Sequence, residues 1–502
     1  MSGPELKRVL KLPAVTFIAI GFTIGGGVFV FTGIVFKITG PALPITYALA
    51  VIPVFISMLP IAMLGSAIPT TGANYKYPSR MVSPGLAFVA IWVYAAASFV
   101  GQIPLYALGC AKYVQVYFPN IAVSMVAVAI LTFIYGVNLL GVKLAAQIQG
   151  IFVIILLAAL LYYAVSGVAA LDPQNFSNIT ARGLPGLFLG TALLTFTYMG
   201  TNGIIELGGE IINPGQVIPR AFFIAFPIIL AVYVLVAIAT VGAVPAQVLL
   251  DSKEPLIIVG RLTLGKTGLL FFVTGGAILA LITTLNALFI VGTKSLLMIV
   301  QDRLLPAWLG RVSPRYGTPQ ILLTIIWLFS ITGIVSGLSL ETLASYAALG
   351  ALMILIPIQI ASVRLPKLHP DRYRRSGFKL QGFWLWLCPV VGILMVVFFS
   401  FLILYDLKSP LKVGGFLVVI IFGGAYYLLR KRYLHSTGLK LEDLRKKCNQ
   451  MGYLKHPAYR FCSRNILNWK KESPGYHWDN FPLPSNSFID QDLRIFGSNA
   501  TI

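Results

Sequence analysis

Three consecutive glycines, Gly25-Gly26-Gly27, lie in the middle of the first long apolar run, within Gly21-Phe22-Thr23-Ile24-Gly25-Gly26-Gly27-Val28-Phe29. Each glycine weakens a helix by about 1 kcal/mol relative to alanine. Close helix packing through small residues uses glycines three or four apart on one face, whereas a contiguous triplet surrounds the helix. Backbone left bare at membrane depth is tolerated only where it lines a cavity, so the triplet predicts an unwound segment facing one. A second interruption, Phe196-Thr197-Tyr198-Met199-Gly200-Thr201-Asn202-Gly203, puts Thr201 and Asn202 between glycines where a lipid-facing helix would be apolar. Half-helix N-termini present N–H groups to a carboxylate, and half-helix C-termini present carbonyls to an ammonium or a metal cation. A zwitterion such as an amino acid meets both demands.

Other polar groups in apolar surroundings are few. Adjacent hydroxyls at Thr283 and Thr284 offer hard oxygen donors to a monovalent cation, or bond back to the preceding turn as membrane threonines do. Glu206 is an acid inside an apolar run, which points to a proton carrier or substrate partner; near a helix end it would simply be solvated. Gln102 and Tyr106 either line a pocket or pack between helices. His369, His435, His456 and His477 all lie outside the apolar runs, so acid–base or metal catalysis within the membrane lacks its residues. His435, Cys448, His456 and Cys462 match no zinc spacing, and no Gly-x-x-x-x-Gly-Lys-Ser/Thr loop is present for a nucleotide-driven pump. No cofactor is called for beyond a coupling sodium ion or proton.

These residues need helices to hold them. The chain of 502 residues is 57% hydrophobic and 11% charged, less than half the charge of a soluble protein, so the bilayer is its solvent. Apolar runs and breakers predict twelve spans, near 12–36, 43–67, 84–114, 121–140, 145–168, 184–208, 219–244, 267–300, 320–338, 342–363, 383–405 and 411–430. The first run is too long for a secretory signal. The net charge of +22 sits in short loops and one tail, the pattern of membrane orientation rather than of nucleic-acid binding. Its bias predicts both termini in the cytoplasm, with the cluster from Arg364 to Lys379 as an inner anchor. Residues 1–430 read as the membrane domain and 431–502 as a cytoplasmic tail, with an amphipathic stretch from Leu439 to Met451; a solvated tail and a regulatory one both fit. Nothing asks for an obligate protein partner. Asn175-Phe-Ser177 and Asn178-Ile-Thr180 are sequons of no diagnostic weight in a chain of this size.

At these residues the sequence resembles the amino acid–polyamine–organocation (APC) permeases over roughly 10–430. The resemblance rests on Gly21 to Phe29, on Glu210-Ile-Ile-Asn213-Pro214 with Ile218-Pro219-Arg220-Ala221, and on Asn286 … Asp302-Arg303-Leu-Leu-Pro306 … Tyr316-Gly317-Thr318-Pro319. It implies an all-α membrane protein with a five-plus-five inverted repeat and two added helices, moving an amino acid or similar organic amine across the plasma membrane by alternating access. Cation-coupled symport is expected ahead of exchange, facilitation or nutrient sensing. The resemblance implies that N–H groups around Gly25, Gly26 and Gly27 hold the substrate carboxylate. Carbonyls near Ile24, Phe196, Thr197 and Met199, beside Gly200, would then meet the ammonium. Glu210, Asn213, Pro214 and Arg220 are implied to be loop framework. Thr283 and Thr284, with carbonyls near Gly21 and Ile24, resemble the sodium site of carriers with this fold. Leu156 falls where many relatives carry a lysine. Thr201 stands where relatives place an aromatic lid and Asn202 where they place an acid, which implies a roomier pocket less suited to cations; Lys294 lies near a usual arginine, a departure that bears on the inner gate.

Overall fold

The computed structural model describes residues 8–140, 145–179, 182–252, 254–313 and 316–437. The amphipathic stretch expected at Leu439 to Met451, and Cys448, His456 and Cys462, lie outside them. All named elements are helical, and ten helical stretches among the described residues are long and apolar enough to cross a bilayer.

The first such stretch, Leu12–Ala67, has 56 residues. As one straight helix it would run about 84 Å, more than twice a hydrocarbon core. It is cut twice. Gly25 (φ −41°, ψ −130°) separates α1 (Leu12–Ile24) from α2 (Gly26–Thr39), and Gly40, at φ 58°, turns the chain through Gly40–Ala42 into α3 (Leu43–Ala67). A left-handed residue followed by Pro41 ends α2, because no L side chain takes that φ easily and proline cannot extend the helix.

A short helix, α4 (Ala73–Met81), follows, in a stretch with no predicted element. Next come α5 (Pro84–Val114), α6 (Val123–Leu140) and α7 (Ala145–Ala169). The next apolar stretch is α8 (Gly183–Tyr198), a 3-10 turn at Met199–Asn202, and α9 (Gly203–Glu206). Then come α10 (Pro214–Gly242), α11 (Gly265–Gln301), α12 (Gln320–Val335), α13 (Leu340–Leu368), α14 (Trp384–Asp406) and α15 (Pro410–Ser436). α10 begins five residues before the predicted start and runs through Pro219 and Pro227. Neighbouring helices can resatisfy the backbone that proline frees in a membrane.

Two helices carry a π-helical turn inside them: α5 at Ser98–Gln102 and α11 at Phe272–Ile278. Packing divides the chain. α10 lies against α1, α3 and α7, and α2 lies on α8; α13 lies against α5 and α14, and α12 on α6. α15 is held to α5 by stacked Phe88, Trp92 and Tyr426 and by Trp92 Nε1 donating to the Val419 carbonyl (3.1 Å). Large apolar side chains point outward, among them Phe133, Leu394, Phe401 and Ile421, each more than half exposed. Polar ones such as Thr32, Ser57 and Gln359 are fully buried, as a lipid-solvated chain requires.

Candidate functional site

Both predicted interruptions are present, and they face one another. At Gly25 the backbone leaves helical geometry, and the Gly26 N–H at the new N-terminus donates to Thr284 Oγ1 of α11 (2.9 Å). Thr284 in turn donates to the Ala280 carbonyl (2.7 Å). A Cβ at Gly25 would overlap Thr284 Oγ1, so this position needs glycine for contact. Across the site, Gly200 lets the 3-10 turn touch the end of α1: a Cβ there would lie 2.6 Å from Thr23 Cα. Tyr233 of α10 fastens the two breaks together, its hydroxyl shared between the Thr23 carbonyl (2.6 Å) and the Thr197 carbonyl (3.1 Å).

A cavity of about 990 Å³, its open mouth included, lies between these breaks. Of the residues singled out in the sequence, Gly21, Gly26, Gly27, Phe196, Thr197 and Met199 line it. So do Gly200, Asn202, Glu206, Thr283 and Thr284, with Gln102 and Tyr106. Ile24, Gly25 and Thr201 do not. Ile24 and Thr201 are fully buried, Thr201 Oγ1 donates back to the Tyr198 carbonyl (3.0 Å), and Gly25 sits behind Thr284. The lid position therefore turns away from the cavity. Thr283 bonds back to Leu279 and Ala280 (2.9 and 3.0 Å), the threonine habit weighed from the sequence, and each threonine oxygen retains acceptor capacity. Leu156 is a buried apolar residue.

Glu206 is buried at the C-terminal end of α9. Its carboxylate accepts the Asn74 N–H (2.8 Å) in the first turn of α4, where a helix N-terminus favours negative charge. Asn202 Nδ2 donates to Asn74 Oδ1 (2.9 Å). The same small helix is anchored at its far end by Arg80, which grips Asp302 through two bonds (2.8 and 2.7 Å), and by the Tyr75 hydroxyl on Asp302 (2.8 Å). Burial and neighbouring Arg80 push the Lys76 ammonium below its usual pKa, with Glu206 and Asp302 opposing.

A second cavity, about 1590 Å³, shares Phe22, Gly203, Glu206, Thr283, Ala287 and Val291 with the first. It continues past Asn286, Lys294 and Glu210 towards Thr318 and Pro319, on the face that also carries Leu10. Glu210 thus borders this passage as well as serving the loop, where its carbonyl accepts the Val9 and Leu10 N–H groups. Away from this passage, contacts join the helices. Lys112 meets Glu254 (2.8 Å), Lys37 meets Glu341 (3.3 Å), and Tyr113 donates to the Phe29 carbonyl (3.0 Å). Burial raises the Glu254 carboxyl above its ordinary pKa against the pull of Lys112. No group of three or more metal-ligating side chains occurs among the described residues.

Tyr233, Asn74 and Tyr94 belong to the site and had no signal in the sequence. A tyrosine in an apolar helix reads as packing, and Asn74 lies in a connection with no predicted element.

Comparison with known proteins gives the family. A family model described as amino acid permease matches residues 10–426. The branched-chain amino acid permease of Bacillus subtilis is 25% identical over 451 residues, covering 85% of this chain and 94% of its own. The methylthioribose transporter of the same organism is 26% identical over 388 residues, covering 73% and 83%. Cationic amino acid transporter 1 of Arabidopsis thaliana is 24% identical over 381 residues, covering 72% and 63%. These relatives are transporters, not enzymes. With a permease model spanning all but the ends of the sequence, this multi-pass membrane protein belongs to the amino acid permease family of the APC group.

Proposed function

We propose that the protein carries an amino acid or closely similar organic amine across the membrane by alternating access, in cation-coupled symport. The observation that carries the reading is the pair of helix breaks, at Gly25 and at Met199–Asn202, from which Gly26, Gly27, Met199, Gly200 and Asn202 line one cavity. The N-terminus of α2 at Gly26 and Gly27 receives the carboxylate. The carbonyls ending α1 and α8, near Ile24, Phe196, Thr197 and Met199, receive the ammonium.

A five-plus-five inverted repeat with two further helices accounts for a pattern that composition alone does not. Breaks fall in the first helix of each half, and π-helical turns fall in the third helix of each, at Ser98–Gln102 and Phe272–Ile278. Counting the cut at Gly40–Ala42 and the shorter α12 brings the spans to twelve. Both termini are assigned to the cytoplasm of the cell membrane by the distribution of Lys and Arg; the passage past Lys294 and Glu210 then opens inward. The coupling ion is assigned either to sodium at the Thr283 and Thr284 hydroxyls with the Gly21 and Ile24 carbonyls, or to a proton on Glu206.

The test is uptake of labelled amino acids into proteoliposomes under a sodium gradient and, separately, a proton gradient. Sodium-driven accumulation lost in Thr283→Ala/Thr284→Ala supports the hydroxyl site. Accumulation driven only by protons and lost in Glu206→Gln supports the acid. Counterflow without accumulation under either gradient overturns symport in favour of exchange or facilitation. Absence of both accumulation and counterflow overturns transport.

A further inference from the structure

Several polar side chains of the cavity already have hydrogen-bond partners. Thr283 and Thr284 donate to their own helix, and Ser98 donates to Gln102 Oε1 (3.1 Å). Asn202 is the exception. It lines the cavity, is 7% exposed, and commits its amide nitrogen to Asn74; its Oδ1 is buried with no hydrogen-bond partner among the described residues. A buried acceptor left unmet costs about 1–3 kcal/mol, which a donor on a bound substrate would recover. Glu206 stands four residues on, one helical turn away, and lines the same end of the cavity. The remaining wall, from Leu288 and Val291 to Ala351, Ile354 and Leu355, is apolar.

We propose that Asn202 Oδ1 and Glu206 form a side-chain subsite that selects neutral amino acids ending in an O–H or N–H donor. This rests on the amino acid transport reading and adds to it the chemistry of the side chain, on which the relatives differ: their names include branched-chain and cationic amino acids. The charge balance favours a neutral donor. Glu206 already faces the N-terminus of α4 through Asn74, and Lys76 and Lys294 both act on it electrostatically, so a further cation has little to neutralise. The unmet demand is that of an uncharged carbonyl oxygen. In this conformation that oxygen is tucked into the wall; a donor reaches it as the turn Met199–Asn202 yields, which Gly200 and Gly203 on either side of Asn202 permit.

Isosteric substrates give the test: labelled threonine against valine, and asparagine against leucine, in proteoliposomes of the full-length protein. The polar member of each pair is expected to be taken up with a kcat/KM about 5- to 150-fold higher, the factor that one met acceptor supplies. Asn202→Leu should erase the difference. Asn202→Asp, which keeps Oδ1, should retain it, so a misfolded leucine variant leaves the question decidable. Equal uptake of threonine and valine by the unmodified protein overturns the subsite while transport stands. The subsite is overturned too if lysine and arginine outcompete threonine with valine its equal. It also falls if Asn202→Leu removes ion dependence and leaves the threonine preference unchanged. No uptake of any amino acid sinks the transport reading itself and this subsite with it.

Discussion

Alanine at position 25 puts the helix break under direct load. Its Cβ would overlap Thr284 Oγ1 and stand 3.2 Å from the Gly21 carbonyl oxygen. Neither neighbour gives way cheaply. The Gly21 carbonyl is backbone, and Thr284 Oγ1 is held by the Ala280 carbonyl and the Gly26 N–H. Overpacking of this kind costs about 1–3 kcal/mol, and loss of the Gly26–Thr284 bond adds about 1 kcal/mol. Gly25→Ala should therefore lose roughly 2–4 kcal/mol, divided between the fold and substrate affinity. Thr284→Ala removes the clashing oxygen; the nearest remaining atom of that side chain, Cβ, would lie 3.3 Å away. The double variant should then retain only the deficit of the lost hydrogen bond, about 1 kcal/mol. A double-mutant cycle on four purified proteins, read by thermal melting and by the melting shift with substrate, should give a coupling of roughly 2–4 kcal/mol in the direction of rescue, since Thr284→Ala alone already loses the same hydrogen bond. A Gly25→Ala protein that behaves as the unmodified one, or a defect that Thr284→Ala deepens, would refute the steric origin of the break.

Tyr233→Phe strips the shared donor from two buried carbonyls and should destabilise by about 1–3 kcal/mol, with uptake falling further than melting because both breaks loosen; an unchanged uptake rate would contradict this. Asp302→Asn removes the carboxylate that Arg80 and Tyr75 hold. Because that pair is only mostly buried, roughly 2–4 kcal/mol is expected rather than the full value for a buried pair, again by melting. Glu254 has a folded pKa raised by burial, so the folded state holds its proton more tightly than the unfolded chain and acidification favours the fold at this group. The melting temperature of the unmodified protein minus that of Glu254→Gln should rise from pH 7 towards pH 5; a fall would refute the assignment. Gly26→Leu should abolish substrate binding in a folded protein, since even a Cβ there would lie 2.7 Å from Leu281 Cδ2 and 2.9 Å from Tyr106 Cδ1; normal binding would refute the unwound site.

The glycine breaks were legible because a contiguous triplet has no packing explanation, and the positions of the membrane helices because apolar length is set by the bilayer. Thr283 and Thr284 were legible as a polar pair, but not that one of them would receive the Gly26 N–H, which depends on how α1 meets α11. α4 escaped notice: Ala73-Asn-Tyr-Lys-Tyr-Pro-Ser-Arg-Met81 is polar, has a proline inside it, and is capped from outside by Glu206. Asn202 read as a departure from the family's acid, and only the geometry places Glu206 one turn on, at the same end of the cavity.

The π-helical turns in α5 and α11 bear on how the sequence can change. Such a turn holds one residue more than the helix around it, and each residue advances a helix by about 100°. Losing a single residue at Ser98–Gln102 would swing everything beyond it, Tyr106 and Lys112 included, by that angle while Tyr94 stayed in place. At Phe272–Ile278 it would turn Thr283 and Thr284 from the cavity together. Substitutions along these helices change one side chain at a time, but a one-codon deletion there rewrites a whole wall, so changes of length are better tolerated in the connections.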